Sequence, residues 1–224
     1  MTRQSIVRMT SAGFLLGGPF VAAWTLVSPW GSFAGAERGG SAQWVIAHSC
    51  HYLAALCLLF GVLGLAVQRL PAAGRRETLT QLYFLFAMWV YGGTGAITSR
   101  VWPLISHHAG AIVEPGGAMF KPSPEFLQTL AVPVLATAVA ALLHAMWRAR
   151  ILPLAGLVTG AAGAAMFFVP TAPLAGFPWF FFPAAGTLSG LGLAWLGWSL
   201  RGGAAPVAAE APAHVRAARE PAAV

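Results

Sequence analysis

The chain has 224 residues, 58% of them hydrophobic and only 8% charged, whereas a soluble domain carries about a quarter charged residues. A globule of this size could not cover itself with so few polar side chains, so lipid must solvate much of the surface. The net charge of +7 does not point to nucleic acid, because the basic residues form neither one patch nor one basic helix and sit instead at the ends of apolar segments.

In chain order, the first apolar stretch covers 11–30 and follows Arg3 and Arg8. With the triplet Ala34-Gly35-Ala36 it imitates a secretory signal, but the run is longer than a signal core, and Trp24 and Trp30 suit an interfacial anchor. It is expected to be retained as a span, bent at Pro19. The second stretch, 43–67, contains both cysteines, Cys50 and Cys57. Seven helical residues separate them by roughly 10 Å along the axis, which excludes a bond between them and leaves them as packing residues.

The third stretch covers 79–98, the fourth 126–146 with Pro133 inside, the fifth 152–169 and the sixth 179–200. Each is apolar and long enough to cross the hydrocarbon layer as a helix, and the connections between them are rich in Gly, Pro or charge. Segment 204–224 has too few large apolar residues to fold and reads as a disordered tail. The expected fold is therefore all-α: a polytopic transmembrane bundle over 1–203 followed by that tail.

Arginine placement gives the orientation. Arg3, Arg8, Arg69, Arg75, Arg76, Arg148, Arg150, Arg201, Arg216 and Arg219 fall on one side of a six-span chain, and Arg38, Arg100 and Lys121 on the other. The side richer in arginine is cytoplasmic by the positive-inside rule, so both termini are expected inside, in a bacterial inner membrane. Three small-xxx-small pairs, Gly13/Gly17, Gly156/Gly160 and Gly186/Gly190, let helices approach closely. They serve packing within the bundle or a face for a second copy or another membrane protein. The bilayer is the partner the composition requires.

Absences narrow the chemistry. There is no aspartate, and Glu37, Glu77, Glu114, Glu125, Glu210 and Glu220 all lie outside the depths of the spans. Carboxylate clusters for magnesium-bound diphosphates and a mid-membrane acid for ion coupling are both missing. So are a P-loop, an H-E-x-x-H pair and a G-x-S-x-G elbow.

What remains is histidine. His48 and His51, at i and i+3, share a face of the second span close enough to chelate one metal. His107 and His108 follow the third span and, with Glu114, would complete a site if that connection folded over the bundle. The alternative is that His48 and His51 hydrogen-bond neighbouring helices while the other two are solvated. A single metal ion or one haem on the outer histidines is the cofactor option; His144, alone at the inner side, has no partner for a second haem. Tyr91, Thr94 and Thr98 form a polar stripe on the third span, followed by Arg100. That stripe either lines an outward-opening polar cavity with Arg100 poised for an anion, or makes helix-to-helix hydrogen bonds with Arg100 reaching the interface.

Trp44-x3-His48-x2-His51 leading into Gly61-Val62-Leu63-Gly64-Leu65, together with Arg148-Ala149-Arg150-Ile151-Leu152-Pro153 and Gly192-Leu193-Ala194-Trp195-Leu196-Gly197, resembles a loose group of uncharacterised bacterial six-helix integral membrane proteins. The resemblance implies the architecture and supplies no catalytic residues, and the doubled His107-His108 is not a feature of the group. The expected function is that of a non-enzymatic accessory or sensing component, with a metal- or haem-binding redox protein and a carrier of a small or lipid-like molecule as alternatives.

Overall fold

A computed structural model describes residues 2–28, 41–69, 73–109, 122–168 and 181–202, with side chains in the fourth of these segments from residue 131 onward. Among the described residues the protein is all-helical. The elements are α1 (Arg3–Val27), α2 (Ala42–Arg69), α3 (Arg75–Ala96), a π-helical stretch (Ile97–Val101) running into α4 (Trp102–His108), α5 (Pro122–Arg148), α6 (Leu154–Met166) and α7 (Phe181–Arg201). Each apolar stretch of the sequence contains one of these helices or helical runs among the described residues. Trp30, Arg38, Glu114, Lys121 and the 204–224 tail lie outside the described residues.

Local chemistry sets the helix ends. Thr2 caps α1 by accepting the Ser5 N–H at 3.2 Å, and the Ser41 hydroxyl accepts the Trp44 N–H at 3.1 Å at the start of α2. Glu77 sits in the first turn of α3, where a carboxylate suits the helix dipole. It also receives two hydrogen bonds from Arg69, at 2.7 and 3.0 Å, clipping the end of α2 to the start of α3. After α5 the chain reverses at Arg150, whose φ is 58°, and Ile151 and Leu152 both donate to the Met146 carbonyl. Pro153 then opens α6, which has 13 residues and ends in a turn at Phe167 and Phe168. This helix is shorter than the apolar stretch 152–169 suggested, about 20 Å at 1.5 Å per residue. Pro19 and Pro133 lie inside helices that continue through them.

The helices pack in a closed ring in chain order: α1 on α2, α2 on α3, α3 on α5, α5 on α6, α6 on α7, and α7 back on α1. Small residues set the closest approaches. A Cβ on Gly13 would meet the backbone of Cys57 and Gly61, one on Gly190 the Gly18 carbonyl, and one on Gly192 the backbone of Gly160. All three small-xxx-small pairs are occupied by contacts of this kind within the chain, with Gly17 on Leu58, Gly156 on Leu152 and Trp195, Gly160 on Leu143 and Gly192, and Gly186 on Thr25. The Ser11 hydroxyl fastens α1 to α7 by donating to the Gly197 carbonyl at 2.7 Å.

Large apolar side chains point outward as well as inward: Leu16, Phe60, Phe86 and Val158 are exposed, Trp89 is 74% and Trp198 65% exposed. Three helical segments are long and apolar enough to cross a membrane, Arg3–Val27, Ala42–Arg69 and Ala131–Arg148, and Leu154–Met166 is a shorter apolar helix.

Candidate functional site

Four helices and the turn after α6 bring aromatic and imidazole rings together inside the ring of helices. His51 of α2 lies between Trp24 of α1, with centroids 4.5 Å apart, and Tyr91 of α3, at 3.8 Å. Trp24 also meets Tyr91 edge-on at 5.4 Å and Phe182 of α7 at 5.2 Å. Phe167, just past α6, stacks against Trp24 at 6.4 Å and meets Phe182 at 5.2 Å. Edge-to-face and offset pairs at these separations add to the stabilisation from burial alone.

Helix geometry explains why these residues meet. His48 and His51 fall one turn apart on the face of α2 that also buries Ala47, Ala54, Ala55 and Leu58. Gly95 lets α3 press against the imidazole, since a Cβ there would come within 3.0 Å of the His51 ring. Trp24 continues the face of α1 defined by Gly13 and Gly17, which is the face turned to α2.

A second group of rings extends from this centre along α2. His48 lies 6.2 Å from His51 and stacks on Trp44 at 4.0 Å, and Trp44 meets Trp102 of α4 at 5.5 Å. The Trp44 carbonyl lies 3.0 Å from His48 Nδ1. A carbonyl can only accept, so Nδ1 carries the proton and Nε2 keeps its lone pair in the neutral ring. The Trp44 indole N–H donates to the Thr98 carbonyl at 2.9 Å, tying α2 to the π-helical stretch. Such stretches interrupt the regular hydrogen-bond ladder and recur at functional sites.

The polar atoms at the centre are mostly unspent. His51 is 5% and Tyr91 1% exposed. Among the described residues neither ring nitrogen of His51 forms a hydrogen bond of normal geometry, although the ring approaches the Tyr91 backbone, and the Tyr91 hydroxyl has no partner there. Leaving such groups unpaired in a buried site costs roughly 1–3 kcal/mol each.

The other expected site residues fall elsewhere. His107 and His108 are exposed at the end of α4 and stack on each other at 4.9 Å, because α4 turns Trp102 and Ser106 inward and the two histidines outward. They do not join His48 and His51. No group of three or more potential metal ligands occurs among the described residues, and Glu114, the further expected donor, lies outside them. His144 is exposed beside Trp147.

The Tyr91, Thr94, Thr98 stripe divides. Tyr91 enters the centre, whereas Thr94 donates to the Tyr91 carbonyl and Thr98 to the Thr94 carbonyl, both at 2.8 Å. Threonine hydroxyls in helices commonly close back on their own turn in this way, and Arg100 is exposed. Trp24 corrects the sequence reading in the other direction: it is 4% exposed at the centre of the cluster and not an interfacial anchor. Its spacing from Gly13 and Gly17, eleven and seven residues, put it on their inward face and was the available signal. Phe167 and Phe182 carried no such signal.

No protein-family model, curated protein or solved structure matches the chain.

Proposed function

We propose that the protein is a six-span integral membrane protein and a non-enzymatic accessory or sensing component. In this reading a small, hydrogen-bonding molecule or a partner's side chain acts on the Trp24, His51, Tyr91 centre. The observation that carries it is the set of buried polar atoms, both His51 nitrogens and the Tyr91 hydroxyl, left without normal hydrogen bonds among the described residues where α1, α2 and α3 meet. Buried polar groups are nearly always satisfied, and the exceptions mark places where something else completes the set. The absence of aspartate from the chain fits binding better than hydrolytic or diphosphate chemistry.

Two experiments test the parts of this reading separately. With both termini, the 69–77 connection and the 148–150 turn in the cytoplasm, a periplasmically active reporter fused after Arg76 or Arg201 stays silent; strong activity at either point overturns the topology. For the centre, small molecules extracted from protein purified in mild detergent are compared by mass spectrometry between wild type and the variant Tyr91→Phe. A species enriched in wild type and lost from the variant is the expected result. Identical profiles, with both proteins folded, count against a ligand at this site.

A further inference from the structure

We infer that Trp44 is a latch that closes the His51, Tyr91 centre on the side of the α2 N-terminus, and that Pro103 creates the need for it by withholding a backbone N–H. The latch stands on backbone geometry; that it guards a binding centre rests on the reading proposed above. The π-helical stretch has a cause in the sequence. Proline has no N–H, and in an α-helix its ring clashes with the carbonyl four residues earlier, so Pro103 cannot follow Ser99 in regular register. The run widens instead. The Trp102 N–H donates to the Ile97 carbonyl, five residues back, and not to Thr98, its α-helical acceptor. The π-helical donor to Thr98 would be residue 103, which is the proline. The Thr98 carbonyl thus loses both of the backbone donors a helix could give it, in a setting where lipid offers none. The Trp44 indole N–H supplies the bond at 2.9 Å.

That bond holds more than a carbonyl. The Trp44 ring stacks on His48 at 4.0 Å and meets Trp102 at 5.5 Å, and the Trp44 carbonyl accepts from His48 Nδ1. His48 in turn lies 6.2 Å from His51. On the opposing run, Gly95 presses on the His51 ring one turn before Thr98. The indole, the His48 ring and the π-helical stretch therefore stand together beside His51 toward the start of α2, and His51 is 5% exposed with them in place. Trp44 belongs to the first turn of α2, and helix ends open more readily than helix centres. Releasing the indole frees Thr98 and His48 in one movement and uncovers His51, whereas closing it satisfies the carbonyl that Pro103 leaves open.

Two readouts on the full chain in mixed micelles test the latch, and neither needs the ligand. The first is a thermal-unfolding cycle over Trp44→Phe, Pro103→Ala and the double variant. Phenylalanine keeps a ring beside His48 and removes the N–H, while alanine returns the backbone N–H that proline withholds. Trp44→Phe is expected to lower the unfolding temperature of wild type, and to lower that of Pro103→Ala by less than half as much. No loss in wild type, or a loss in the Pro103→Ala background half as large or larger, overturns the hydrogen-bonded latch. The second readout is the rate at which diethyl pyrocarbonate acylates His51, followed by mass spectrometry well below the unfolding temperature, with the exposed His107 and His108 as internal standards. His51 is expected to react far more slowly than the standards in wild type and severalfold faster in Trp44→Phe than in wild type. An unchanged rate in Trp44→Phe overturns the closure. Should only the ligand reading of the centre fail, both readouts still come out as expected while the extracts of wild type and Tyr91→Phe are identical.

Discussion

Gly13→Ala is expected to destabilise the protein by about 1–3 kcal/mol, the usual cost of forcing extra volume into a packed interior. The added methyl would lie 2.5 Å from the Gly61 nitrogen and 2.6 Å from the Cys57 carbonyl oxygen. Both are backbone atoms in the middle of α2, so no rotamer change can make room and the two helices must separate. Separation would also disturb the neighbouring contacts at Gly17 with Leu58 and Gly64 with Thr10. Without a hydrophobic force between helices in lipid, close backbone approach is a principal source of their association, which places this substitution among the most damaging single-methyl changes available. Gly93→Ala is the matched control. It lies on an open face of α3 with nothing within 4 Å of a new Cβ, and it should stabilise by about 0.5–1 kcal/mol through helix propensity alone. Equilibrium unfolding in mixed micelles measures both. A neutral Gly13→Ala would show that α1 and α2 do not cross this closely.

The helices were legible because their apolar runs are long and their punctuation is strong. Pro153 before α6, Gly74 before α3 and Ser41 before α2 all lie where the chain actually turns into a helix. Both readings of His48 and His51, metal ligands or helix-to-helix hydrogen bonds, turn the rings away from lipid, and both are buried. What the rings meet was not legible, since it depends on the register between helices. That register is set by contacts such as Gly13 with Gly61 and Gly95 with His51, and one sequence does not say which glycine faces which helix. The same gap explains the misreadings. Trp24 reads as an anchor because tryptophan is common at membrane interfaces, while its actual neighbours are His51, Tyr91 and Phe182. For Thr94 and Thr98 a helical wheel shows the side on which a hydroxyl sits and not the carbonyl it donates to, here those of Tyr91 and Thr94.

Tyr91→Phe is the second large effect, and it has the opposite sign. If the hydroxyl is unspent within the chain, phenylalanine keeps the ring contacts with His51 and Trp24 and removes a buried polar atom. Protein stripped of small molecules should then gain about 1–3 kcal/mol. On the proposed reading the gain reflects a binding centre held at a cost to stability, as sites kept ready for a ligand often are. His51→Phe is a less clean probe because Gly95 holds the imidazole so closely that a larger ring would strain α3. The most direct measurement is therefore the equilibrium unfolding of Tyr91→Phe beside wild type in ligand-free mixed micelles. A higher stability for the variant is the predicted result. A loss of about 1 kcal/mol or more would show that the hydroxyl already has a partner in the fold and would contradict the centre as a place left open for binding.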